Sequence, residues 1–288
     1  MSEKNLLIND DEWTLIIKPK TSWFNLNLKE LWHYKDLLML FVKRDFISLY
    51  KQTILGPLWY FIQPILTAVT YSIMFGKIAN ISTAGLPKLV FYLSGITIWN
   101  YFAECLNKTS NTFISNSNIF GKVYFPRLIV PLSIIISNMI TFFIQLLLFI
   151  AFLLYYYSKG SPIHPSKYIF LLPLLILILA GFGLGVGIII SSLTTKYRDL
   201  RFLITFGVQL LMYASPIIYP LSATGKLKFY ILLNPLSSVI ETFRYMFTGG
   251  IGEYHWHYLL YSFIFMIIVL TIGVILFNKV EKSFMDTV

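Results

Sequence analysis

The sequence predicts an all-α integral membrane protein with six transmembrane helices and both termini in the cytoplasm. Three observations carry this. Six apolar runs, 58–78, 89–106, 128–157, 168–193, 202–219 and 258–277, are each close to or above the length of a membrane span, which needs about 20 apolar residues. Hydrophobic residues make up 57% of the 288 and charged ones 12%, against about 25% charged in an average soluble domain. The Lys and Arg residues are also distributed unevenly. Sixteen fall before the first run, in the second and fourth loops and in the tail, and seven fall on the other side. The positive-inside rule places the richer side in the cytoplasm. The net charge of +10 is thereby mostly a topology signal with some attraction to anionic membrane lipid. The basic residues are scattered among the spans, so no nucleic-acid partner is expected.

Taken in order, residues 1–27 form a polar cytoplasmic extension. Residues 28–56 are an amphipathic interface helix and a connector, 57–279 are the six-span domain, and 280–288 are a cytoplasmic tail. Asn27 followed by Glu30 fits a capping box. The helix it opens spaces Leu31, Tyr34, Leu38 and Phe41 on one face, as expected for a helix lying on the cytoplasmic membrane surface. Pro57 suits the first turn of span 1, and Pro64 lies inside that span. The loop 111–127 is too long and too apolar for a plain turn, and its Ser/Asn-rich start and Pro126 predict a short surface helix. Span 4 carries Gly181, Gly183, Gly185 and Gly187. This small-xxx-small spacing, twice over, lets helices approach closely. It is not a dinucleotide fingerprint, because the spacing fails and no strand precedes it. Between spans 5 and 6 the apolar stretch 229–247 is interrupted by Asn234-Pro235 and predicts two short re-entrant helices. Glu241 and Arg244, three apart, share a face of the second.

Several chemistries are missing. No phosphate-binding G-x-x-x-x-G-K-[ST] loop is present, so ATP is not expected to bind here in that manner, and no cofactor is expected on this chain. From Phe46 to Arg198 the one carboxylate is Glu104, unlike ion-coupled carriers, which keep ionisable groups in mid-membrane. The four histidines lie outside the runs, and no metal site is expected. Paired carboxylates for acid–base catalysis are absent. Aromatic residues make up 17% of the chain. Tyr60, Tyr71, Tyr92, Trp99 and Tyr213 lie inside spans, with Tyr219 at the end of the fifth. An uncharged path lined by such rings suits sugars, and plain helix packing accounts for the same residues.

Four separated motifs now matter together. They are Lys51 to Trp59, with Gly56-Pro57; Asn118 to Arg127, with Lys122, Tyr124 and Pro126; Ser215-Pro216 to Tyr219-Pro220; and Asn234-Pro235 followed by Glu241 and Arg244. In this order they resemble the permease subunit of ABC-type exporters of lipid-linked polysaccharide, a family that includes O-antigen, capsule and teichoic acid exporters. The resemblance covers about residues 28–282.

It implies a bacterial inner-membrane permease that is not itself an enzyme. Such a permease works as a homodimer with two copies of a separate ATPase and moves a polyprenyl-linked polysaccharide outward. It implies ATPase coupling through Asn118, Phe120, Lys122, Tyr124 and Arg127 and through Lys196 and Arg198. Gly121 stands where much of the family has a basic residue. The resemblance also implies a path along spans 1 and 5, which hold Tyr60, Tyr71, Tyr213 and Tyr219, with Trp99 added from span 2. The outer gate would comprise Pro216, Asn234, Pro235, Glu241 and Arg244. The rivals are an exporter of small lipids or drugs on the same scaffold, and a membrane enzyme acting on polyprenyl-linked sugars.

Overall fold

A computed structural model describes residues 28–51, 54–161, 163–197 and 199–287. All regular structure among the described residues is helical. The helices are α1 (Leu28–His33), α2 (Lys35–Tyr50), α3 (Trp59–Ile73), α4 (Lys88–Ser110), α5 (Thr112–Ser115), α6 (Ser117–Phe120), α7 (Ile129–Ser158), α8 (Leu172–Thr194), α9 (Leu200–Tyr213), α10 (Lys228–Leu232), α11 (Pro235–Thr248) and α12 (Trp256–Thr287).

Among the described residues, five segments are long and apolar enough to cross a membrane: Gly56–Ile78, Lys88–Ser110, Ile129–Ser158, Lys167–Thr194 and Trp256–Glu281. The chain is thus a multi-pass membrane protein. The fifth expected span is shorter than its apolar run. α9 has 14 residues, about 21 Å of helix, and ends where Ala214, Ser215 and Pro216 turn away from the helix axis. Residues Ser215 to Ile218 are buried, and Ile217 packs on Gly95 of α4. Proline explains the break, since it disfavours helical geometry in the residue before it.

α4 is the central helix. It packs against α3, α7, α8, α9 and α11, while α8 packs between α4 and α12. The glycines of α8 explain how it serves two neighbours. A Cβ at Gly183 or Gly187 would meet Cys105 or Thr109 of α4, and one at Gly181 or Gly185 would meet Met266 or Leu270 of α12. Each side of α8 therefore carries its own pair of glycines four apart, as the spacing predicts.

The first helix differs from expectation. It bends at Tyr34 into α1 and α2, and Asn27 lies outside the described residues. Its apolar face packs on protein. Phe41 is buried with Phe120, Phe125 and Ile129, and Leu31, Tyr34 and Leu38 pack on the same cluster. The sequence reading missed this because the partners come from residues 113–134 and 277, far along the chain. Trp32, Met39 and Leu40 remain exposed and form a second apolar side. At the other end of the chain α12 runs unbroken through the expected boundary at 279, so the tail begins as helix.

Candidate functional site

Two constellations and an aromatic cluster hold the residues singled out by the sequence. The first lies where the segment between α9 and α12 folds back. Asn234 caps α11, its Oδ1 accepting from the Leu236 N–H at 3.1 Å and its amide donating to Ser215 Oγ at 2.9 Å. Pro235 occupies the first turn, where no N–H is needed. Its carbonyl accepts from Ser262 Oγ at 2.7 Å, tying α11 to α12.

Further along α11, Glu241 and Arg244 form an ion pair and are 2% and 1% exposed. Arg244 spends its other donors on the Pro216 carbonyl (2.9 Å) and Ser94 Oγ of α4 (3.3 Å), and its guanidinium lies 3.9 Å from the centre of the Phe91 ring. Glu241 accepts from the Glu253 N–H at 3.2 Å. The fold thus brings Pro216, Asn234, Pro235, Glu241 and Arg244 into one hub that joins α4, α11, the post-α9 turn and the lead into α12. Ser94, Phe91, Ser215 and Glu253 complete it. No sequence signal marks Ser94 or Phe91, which sit within an unbroken apolar run. α11 ends on Gly249 with φ 73°, where a Cβ would fall 2.5 Å from the His164 carbonyl oxygen. Beside the hub, Lys228 of α10 pairs with Glu253 at 2.6 Å.

The second constellation is the knot formed by α1, α2, α5, α6, the start of α7 and the end of α12. Phe120, expected as a partner contact, is 5% exposed. It packs edge-on to Phe113 and tilted on Phe125. The expectation is corrected: an apolar loop residue here serves the chain's own core. Arg127 likewise points inward. Its Nη1 donates to the Glu281 carbonyl at 2.6 Å, and its guanidinium lies over Phe120. Partial burial lowers its pKa, opposed by the Glu281 carboxylate. Asn118, Lys122 and Tyr124 remain at the surface together with Val123, which the sequence reading passed over. Lys196 is exposed and lies over the Tyr197 ring. Arg198 falls outside the described residues.

The aromatic residues divide. Tyr71 of α3 meets Tyr92 of α4 edge-on, and its hydroxyl lies 3.7 Å from Met212 Sδ of α9. Tyr219 donates to the Tyr213 carbonyl at 3.2 Å. Tyr71, Tyr213 and Tyr219 therefore gather where α3 and α9 approach. Tyr60 lines a separate cavity at the other end of α3. Trp99 is 7% exposed and packs on Phe102 inside the bundle, so in this arrangement it is a core residue and does not line a path.

Residues 36–248 match the ABC-2 type transporter family. Two proteins of Klebsiella pneumoniae, each described as an O-antigen export system permease protein RfbA, are 31% and 29% identical over 253 and 252 residues. Each comparison covers 87% of this chain and 94% of the relative. A Myxococcus xanthus protein of the same description is 26% identical over 76% of this chain and 83% of its own length. The matched segment contains the exposed knot residues Asn118, Lys122, Val123 and Tyr124 and every hub residue except Glu253, and with it this chain belongs to the ABC-2 type transporter family of membrane proteins.

Proposed function

We propose that this chain is the membrane subunit of an ATP-driven exporter that moves a polyprenyl-linked polysaccharide from the cytoplasmic to the outer side of the bacterial inner membrane. The observation that carries the reading is similarity to O-antigen export permeases across nearly the whole of those relatives. In this reading two copies of the chain pair with two copies of a separate ATPase, which holds ATP and magnesium. The exposed residues Asn118, Lys122, Val123, Tyr124 and Lys196 form the docking surface. The segment 28–56 lies at the cytoplasmic interface, 57–279 is the permease proper, and both termini are cytoplasmic.

α9 serves as the fifth of six spans. The buried turn 215–218 completes it against α4, because irregular backbone at membrane depth must be enclosed by protein. α10 and α11 dip back from the outer face, and the hub around Glu241 and Arg244 gates the exit. The near-absence of carboxylates in the spans favours movement of cargo driven by a partner over coupling to an ion gradient. It also disfavours a membrane enzyme of polyprenyl-linked sugars. An exporter of small lipids on this scaffold is the second reading.

Deletion of the chain tests the proposal. Surface polysaccharide should disappear while lipid-linked glycan accumulates inside. The tagged chain should co-purify with an ATPase in a two-plus-two complex and hydrolyse no ATP by itself. Azide-insensitive ATP turnover by the isolated chain would overturn it.

A further inference from the structure

A crevice of polar side chains opens from the cytoplasmic end of the molecule to the level of the spans, and neither the aromatic cluster nor the hub accounts for it. On α4 and its C-terminal cap, Asn100, Glu104, Lys108 and Asn111 recur four, four and three residues apart, which places them on one face. On α7, Asn138, Thr141 and Gln145 do the same. The two stripes meet level by level. Asn100 donates to Gln145 at 3.3 Å, while Lys108 donates to Asn138 at 2.8 Å and pairs with Glu104 at 2.9 Å.

α3 covers the inner chamber with Trp59, Tyr60 and Gln63, leaving about 270 Å³. A wider vestibule of about 680 Å³, bounded by Arg44, Ser48, Asn107 and Asn116, opens below it. Lys108 and Asn138 border both spaces. Polar groups on spans are often only an interhelical zipper, which satisfies them by closing on itself. This one stays open. The side chains of Glu104 and Lys108 are 51% and 39% exposed, and the combined space falls within the roughly 300–1,000 Å³ typical of ligand sites.

The lining selects its occupant. Each cation already has a carboxylate beside it, Lys108 with Glu104 and Arg44 with Asp45 at 2.8 Å, so the wall offers no free charge to an anion. What remains is amide and hydroxyl chemistry that both donates and accepts, with the half-exposed indole of Trp59 and the Tyr60 ring as flat apolar faces. Sugar rings have this same make-up: hydroxyls at the edge and C–H groups on the face.

We propose that the crevice binds an uncharged, hydroxyl-rich stretch of the glycan as it enters from the cytoplasmic side. The inference rests on the polysaccharide-export reading. Contacts that are neutral, repeated and individually modest hold a chain without trapping it, which suits a stretch that must move on.

The test uses the intact permease–ATPase complex in cells that make the glycan. A photo-crosslinking amino acid at Thr141, facing the chamber, should capture glycan. The same probe at Leu147, exposed on α7, should capture lipid. The double variant Asn100→Leu/Gln145→Leu should lower export per molecule of permease by about tenfold, the loss of roughly one net hydrogen bond to the cargo. If that variant fails to reach the membrane, the Thr141 probe decides alone. Normal export with no glycan captured at Thr141, or native export by the double variant, overturns the crevice as a binding site and leaves a hydrated zipper. Undiminished surface glycan in the deletion strain would instead overturn the export reading itself.

Discussion

At the scale of single residues, burial sorts those that hold the molecule together from those available to another chain. Arg244 is enclosed among four partners, Ser94, Glu241, Pro216 and Phe91. Removing one member of a buried pair strands the other charge and costs about 3–5 kcal/mol. Arg244→Ala should therefore lower permease abundance, and through the gate it should lower export by more than the fall in abundance explains. The paired replacement Glu241→Leu/Arg244→Met should restore abundance, measured by quantitative blotting of membranes. Loss of abundance and export strictly in proportion would assign the pair to support alone and remove it from the gate.

Phe120 and Tyr124 make a second contrast, four residues apart. Phe120→Asp places a carboxylate within a cluster of rings and should deplete the protein. Tyr124→Ala or Lys122→Glu should leave its amount unchanged and release the ATPase on purification. Co-purification of the ATPase at native stoichiometry with both surface variants would remove this surface from the docking proposal. The resemblance assigned Phe120 and Tyr124 alike to ATPase coupling. What separates them is burial: Phe120 sits in a cluster with Phe41, a residue far back along the chain whose contact leaves no local signature.

At the scale of elements, the glycines of α8 were legible in full, because four-residue spacing on a helix has one geometric meaning whichever neighbours arrive. Gly185 lies with its absent Cβ 2.9 Å from the Leu270 Cα, and backbone has little room to yield. Gly185→Val should destabilise by about 1–3 kcal/mol, seen as a lower midpoint of detergent-extracted thermal unfolding. Gly207, with nothing within 4 Å, should accept Ala with no such loss. The fifth run was legible only in part. Hydropathy sees apolar residues continuing to 219, whereas backbone geometry stops the helix at Tyr213. The polar stripes of α4 and α7 were written in the sequence at helical spacing. They escaped notice because each polar residue is isolated within an apolar window, and only the pairing of the two helices turns them into a wall.

At the scale of the whole molecule, the orientation rests on the Lys and Arg imbalance, and the protein carries its own means of checking it. The lone thiol, Cys105, is buried, so a single introduced cysteine reports with little background. Asn80→Cys should react with a membrane-impermeant maleimide added to intact spheroplasts, and Lys122→Cys only after the membrane is opened. The opposite pattern would invert the topology.

α12 joins the two constellations. With 32 residues it extends about 48 Å, well beyond a hydrocarbon core of about 30 Å. Near one end, Ser262 grips Pro235 of the hub. Near the other, Phe277 stacks on Phe113 and the Glu281 carbonyl receives Arg127. An unbroken helix is stiff along its axis, so these are two ends of a strut. A thrust applied at the knot reaches the hub as rigid displacement, with little lost motion and no relay of side-chain rearrangements between them.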